Sequence, residues 1–136
     1  MFKRIDHVEL VTDQPDRTVQ FYTDILGFKV RSRDRVEPPG GAAPLSLVYL
    51  ELGGSTVELI TYEGGKIAPA PTGAHLGYNL IALEVDDMQE TIAYLKTKGV
   101  GVVWGPIVHE GHYARAEIAD PNGYHIELRQ WFRPPG

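Results

Sequence analysis

Hydrophobic and polar residues alternate with a period of two in several short stretches. Over residues 5–12, Val8 and Leu10 fall on one face while Ile5, His7, Glu9 and Val11 fall on the other, the signature of a half-buried strand. The same reading predicts strands over 28–36, 45–52, 55–62, 78–85, 100–104, 113–118 and 124–130. Two segments change to a helical period. The first opens at Asp13-Gln14-Pro15-Asp16, with a capping-type Asp, a Pro near the first turn and acids at the positive end of the helix dipole. It carries Val19, Tyr22, Ile25 and Leu26 on one face and stops at Gly27. The second opens at Asp86-Asp87, carries Met88, Ile92 and Leu95, and stops at Gly99. Pro38-Pro39-Gly40-Gly41 and Pro44 mark a loop, Gly53-Gly54 a hairpin turn, and residues 63–77 a Gly-, Pro- and Ala-rich connector.

The order strand, helix, three strands is therefore stated twice, in modules at about 4–62 and 78–131. Residues repeat as well as elements. His7-Val8-Glu9-Leu10-Val11-Thr12-Asp13 lies over Leu80-Ile81-Ala82-Leu83-Glu84-Val85-Asp86, and Thr18-Val19-Gln20-Phe21 over Thr91-Ile92-Ala93-Tyr94. Gly54-Ser55-Thr56-Val57-Glu58-Leu59 matches Gly123-Tyr124-His125-Ile126-Glu127-Leu128, which makes Glu58 and Glu127 mates on equivalent strands. Asp120-Pro121-Asn122-Gly123 is turn chemistry. In the strand beyond it Tyr124, Ile126 and Leu128 point one way, and His125, Glu127 and Arg129 the other. A carboxylate just past a tight turn is held rigidly, as a metal ligand or general base must be.

Composition narrows the function. The chain has 136 residues, 43% of them hydrophobic, and a net charge of -5. No basic stripe is available to displace counterions, so a nucleic-acid partner is not expected. There is no cysteine, which excludes disulfides and thiol catalysis. No apolar stretch suits a signal peptide or a bilayer span, so the expected location is cytoplasmic, with no membrane partner.

Ile5-Asp6-His7-Val8, Phe21-Tyr22-x-x-x-Leu26-Gly27-Phe28, Val57-Glu58-Leu59, Leu83-Glu84-Val85-Asp86-Asp87 and Asp120-Pro121-Asn122-Gly123-x-x-Ile126-Glu127-Leu128 occur in that order. In them the chain resembles the vicinal oxygen chelate superfamily of glyoxalases, bleomycin-resistance proteins and extradiol dioxygenases. The resemblance implies an α+β fold in which two βαβββ modules form a cupped mixed sheet around a central cavity and a divalent metal. Its ligand positions fall on His7, Glu58, Leu80 and Glu127. Leucine cannot ligate, so the expected set is His7, Glu58 and Glu127, holding Zn, Ni, Mn, Fe or Co with open positions.

The implied activity is that of a metal-dependent lyase or isomerase acting on a small oxygen-chelating substrate through an enediolate. Glu127 is the first candidate base and Glu58 the second. The alternative is a metal-free small-molecule binding or resistance protein of the bleomycin-resistance type. Tyr49, Tyr62, Trp104 and Tyr113 are candidates to stack on a ligand. Arg115 and Arg129 are candidates to meet a substrate carboxylate, or to neutralise Glu58 and Glu127. The glutathione-dependent branch usually carries a basic residue four positions after the first histidine and an asparagine four after the first glutamate. Val11 and Tyr62 stand there, so a different substrate is expected. Extradiol cleavage would need histidine at Leu80. The resemblance also implies a homodimer, with Trp131-Phe132 covering part of the interface.

Overall fold

The computed structural model describes residues 1–135 and divides into two compact units, Met1–Pro69 and Ala70–Gly136. Unit 1 contains β1 (Val8–Val11), α1 (Pro15–Gln20) running into a π-turn at Phe21–Ile25, β2 (Lys29–Val36), β3 (Leu45–Leu52) and β4 (Ser55–Tyr62). Its sheet has the order β1-β4-β3-β2, with β1 parallel to β4 and the other pairs antiparallel. Gly53 and Gly54 both take positive φ, 56° and 81°, which lets the β3–β4 hairpin close in two residues.

Asp13 does not cap the first helix. Gln14 holds that position without a side-chain cap bond. Thr12 Oγ1 instead accepts from the Gln14 amide at 3.1 Å and pairs with the buried Thr18 Oγ1 at 2.9 Å. The helix widens at its end, where the Leu26 amide reaches back to the Phe21 carbonyl at 3.2 Å. Tyr22, Leu50 and Leu59 are the innermost apolar side chains of this unit, so the helix lies on the sheet through the face that its periodicity marked.

Unit 2 repeats the plan with β5 (Ile81–Glu84), α2 (Met88–Thr97), β6 (Trp104–His109), β7 (Tyr113–Ala119) and β8 (His125–Trp131), in the order β5-β8-β7-β6. Asp87 caps α2 by accepting from the Glu90 amide at 2.8 Å. Leu95, Ala116, Ile118, Ile126 and Leu128 form its core. The buried Asp120 builds the turn before β8. Its Oδ1 accepts from the amides of Asn122 at 2.8 Å and Tyr124 at 3.0 Å, which sets the phase of every residue that follows.

The fold is α+β, two βαβββ modules. Three strands differ from the sequence expectation: β1 and β5 begin three residues later than read, at Val8 and Ile81, so His7 and Leu80 lie just before them. The sixth was predicted over 100–104, but β6 begins at Trp104 and runs to His109. The apolar residues at 100, 102 and 103 belong to the approach from α2, and Gly105 and Pro106, which lay beyond the expected strand, are inside β6. Pairing with β7 slips between Trp104 and Ile107, so Gly105 and Pro106 form an irregularity in the ladder. The edge strands β2 and β6 are exposed throughout.

Candidate functional site

In unit 1 the strand registers put chemistry in one row. Glu9 on β1 lies opposite Glu58 on β4, Glu58 lies opposite Tyr49 on β3, and Tyr49 lies opposite Ser32 on β2. His7, two residues before Glu9, shares its face. The imidazole Nε2 sits 2.9 Å from Glu58 Oε2 and 3.5 Å from Glu9 Oε1, while Nδ1 is 2.9 Å from Asp6 Oδ2. The Tyr49 hydroxyl donates to Glu58, its ring meets His7 edge-on with centroids 6.3 Å apart, and the Arg31 guanidinium lies 5.2 Å from the same ring.

Glu58 is 4% exposed. Burial pushes its carboxyl above the ordinary range, and the nearby Glu9 charge acts in the same direction, against the Tyr49 hydrogen bond and His7. His7 is also raised, chiefly by the Asp6 hydrogen bond, with Glu9 and Glu58 adding to it. One ligand atom from each of His7, Glu9 and Glu58 lies within 4.8 Å of the others. An imidazole nitrogen and two carboxylates suit a borderline divalent cation, so these residues fit the metal that the resemblance implies.

Unit 2 places different chemistry in the matching row. Ala82 lies opposite Glu127, Glu127 opposite Glu117, and Glu117 opposite Trp104. Glu127 is 6% exposed, and each of its oxygens accepts from an arginine. Arg115 Nη2 reaches Oε1 at 2.7 Å, while Arg129 reaches Oε2 with Nη2 at 2.7 Å and Nε at 3.0 Å. Arg115 also holds Glu117 at 3.0 Å, and Glu117 meets His125 at 3.0 Å. Arg115 and Arg129 lie opposite each other on β7 and β8. Like charges so placed repel, and the two glutamates beside them balance the row.

The arginines are also sandwiched. Arg115 stacks 4.8 Å from the Trp104 ring centroid, and Arg129 lies 3.9 Å from Tyr113 and 5.0 Å from Trp131. Among the residues singled out from sequence, the structure thus groups His7, Glu58 and Tyr49 in unit 1. It groups Glu127, Arg115, Arg129, Trp104 and Tyr113 in unit 2. Tyr62 sits exposed at the end of β4. Asp6, Glu9 and Glu117 were not singled out, and Trp131 was singled out for a dimer interface rather than for this stack. Alternation did place Glu9 on the face of His7, and that was the available signal.

The model of the Glyoxalase/Bleomycin resistance protein/Dioxygenase superfamily matches residues 4–128. The chain belongs to that superfamily. Among curated relatives, a lactoylglutathione lyase of Neisseria meningitidis is 33% identical, over 93% of this chain and 90% of that protein. A protein of Synechocystis named probable lactoylglutathione lyase is 34% identical, over 91% and 92%. A chloroplastic relative of Arabidopsis thaliana is 37% identical, but the chain spans only 35% of its length. A solved glyoxalase family protein from Bacillus cereus, 24% identical, shares the fold with a TM-score of 0.83 over 98% of this chain and 97% of that one. Within the glyoxalase superfamily frame, unit 1 of this chain holds the imidazole and two carboxylates, and unit 2 holds a carboxylate enclosed by guanidinium groups.

Proposed function

We propose that the chain is a metal-dependent lyase or isomerase of the glyoxalase-like type, acting on a small substrate with neighbouring oxygens. The observation that carries this reading is the His7, Glu9 and Glu58 donor set on one face of a rigid sheet, with Glu58 buried. The lactoylglutathione lyases among the relatives support the same reaction class. A bound divalent ion would supply Lewis acidity toward adjacent substrate oxygens. The protein's own part is positioning and proton movement. Asp6 orients the His7 ring through Nδ1. Tyr49 fixes the Glu58 carboxylate, and burial raises its affinity for a proton, as a base acting beside a carbonyl requires. The geometry favours Glu58 over Glu127 in that role, because both Glu127 oxygens already accept from arginines.

Val11 and Tyr62 stand where the glutathione branch carries its basic residue and asparagine. The substrate proposed is therefore a small hydroxycarbonyl compound rather than a glutathione adduct. The test is solvent deuterium exchange at the carbon next to the carbonyl, followed by NMR across a panel of such compounds. Protein loaded with Zn, Mn, Ni or Co should catalyse exchange, and Glu58→Gln should abolish it. No exchange by any loaded form would overturn the reading.

Unit 2 favours one second reading. Its arginine and aromatic stack suits a metal-free binder of planar ligands, and ligand affinity unchanged by chelator would select it. A homodimer and a cytoplasmic location belong to the main proposal. Sedimentation as a monomer at micromolar concentration would remove the dimer. Among the described residues no helix is long and apolar enough to cross a membrane.

A further inference from the structure

We propose that unit 1 carries the cation site by itself, with Glu9 as the third ligand beside His7 and Glu58, and that Glu127 is an arginine-held structural carboxylate. This rests on the metal-dependent reading above and assigns its ligands.

The internal repeat supplies the first reason. The two modules can be compared position by position within one chain. Where unit 1 has His7, Glu9 and Glu58, unit 2 has Leu80, Ala82 and Glu127. Unit 2 has therefore no imidazole and one carboxylate fewer at the matching places. Where unit 1 puts Tyr49 beside its glutamate, unit 2 puts Glu117, tied to Arg115. The two rows have diverged toward opposite partners, a cation in one and guanidinium groups in the other.

The second reason is the state of each glutamate. Glu127 has an arginine on each oxygen at 2.7 Å. A divalent ion on it would lie beside both guanidinium groups, and that like-charge contact in a buried setting is costly. Glu58 has no arginine or lysine partner among the described residues. It meets an imidazole and a phenol hydroxyl, and Glu9 lies opposite it on the neighbouring parallel strand. A divalent ion in place of the imidazole proton would offset the repulsion between those two carboxylates.

The third reason is orientation. His7 Nδ1 is engaged by Asp6, so Nε2 is the nitrogen left to ligate, and Nε2 is the atom that faces both Glu58 and Glu9. A carboxylate behind a ligating imidazole is the usual means of fixing its tautomer and ring orientation. Three protein donors of this kind leave roughly half of an octahedral shell open.

The experiment is isothermal titration of the full chain, stripped of metal by chelator, with Zn2+ and with Mn2+. Melting curves verify that each variant is folded. The wild type should bind one ion per chain. Glu9→Gln and Glu58→Gln should each weaken affinity about 10-fold or more, while Glu127→Gln stays within about twofold of wild type. Should Glu127→Gln not fold, Glu127→Met/Arg129→Met removes the carboxylate together with the arginine that pairs only with it, while Arg115 keeps Glu117, a change that buried pairs often tolerate. Loss of affinity in the Glu127 variants equal to that in Glu58→Gln would overturn the ligand assignment and leave the metal-dependent reading standing. So would full affinity in Glu9→Gln. A wild type that binds neither ion would overturn both together.

Discussion

Arg115→Ala tests how Glu127 is held. The substitution removes the guanidinium 2.7 Å from Glu127 Oε1 and 3.0 Å from Glu117 Oε1. Glu127 is 6% exposed while Arg115 covers it, so it depends on protein partners rather than bulk water. Breaking a buried pair by removing one partner costs about 3–5 kcal/mol. Here the loss is smaller, because Arg129 keeps Oε2 through two nitrogens and His125 still faces Glu117, and because Arg115 itself is 27% exposed. An expected cost of about 2–3 kcal/mol follows. For a chain of this size that lowers Tm by about 6–15 °C, readable by circular dichroism. Arg115→Lys should recover only part of the loss, since an ammonium cannot span both carboxylates with a planar fork. Adding Glu127→Gln to Arg115→Ala should cost less than the sum of the two changes, because they remove one interaction. A Tm within about 2 °C of wild type for Arg115→Ala, or strict additivity in the double variant, would show that Arg115 does not hold Glu127. Its oxygens would then be available for another partner.

Leu50 is fully buried at the middle of β3, and Leu50→Ala should cost about 2–5 kcal/mol in urea unfolding. Gly105 has φ 79°, and a Cβ there would lie 2.9 Å from the Arg115 carbonyl oxygen and 3.2 Å from Ala116 Cα. Gly105→Ala should therefore destabilise by about 1–3 kcal/mol, measured by thermal melting. Arg35 contacts both Glu63 oxygens at 2.9 Å, Ser46 Oγ donates to Oε1 at 3.0 Å, and these bonds, Arg35 first, hold the Glu63 carboxyl below its ordinary 4.5. A lowered folded value contributes stability above the unfolded value that disappears as pH falls through the folded one. The Tm difference between wild type and Glu63→Gln should thus be constant above pH 5 and shrink below about pH 4.5; a difference that persists at pH 2 would refute the pairing.

Local chemistry made most of the fold legible. Asp120-Pro121-Asn122-Gly123 announced a turn, and its Asp carboxylate does build one. Asp87 announced a helix start, and it caps α2. The repeat made Glu58 and Glu127 equivalent by strand position, and the structure keeps both buried on their sheets. What the strand pattern could not convey was register. Glu9 lies opposite Glu58, and Arg115 opposite Arg129, only after strands distant in sequence have paired. A single acid on an amphipathic strand reads as a solvated group until its neighbour across the ladder is known. The sixth strand was misplaced for a related reason. Gly105-Pro106 is a stop signal in local terms, yet the pairing resumes beyond it at Ile107 with Arg115. Asp13 was the obvious cap by residue type, but Gln14 takes the cap position, tied back by its amide to Thr12 Oγ1, which pairs with Thr18.

β2 and β6, each at one edge of its sheet and exposed along its whole length, bear on how readily another chain could add to them. An unpaired strand edge is a template on which another chain can add, the first step of aggregation. β2 places Lys29, Arg31, Arg33, Asp34 and Arg35 along its eight residues, so an incoming copy would meet its own charges. β6 has no such series of charges, and it exposes Trp104, Ile107 and Val108. Its guard is in the main chain: Pro106 offers no amide hydrogen, and the slip between Trp104 and Ile107 interrupts the regular spacing that an added strand would need. The two modules are alike in topology yet their edges carry different features that disfavour an added strand, charge in one and geometry in the other. Salt should therefore weaken the protection of the first edge and leave that of the second unchanged.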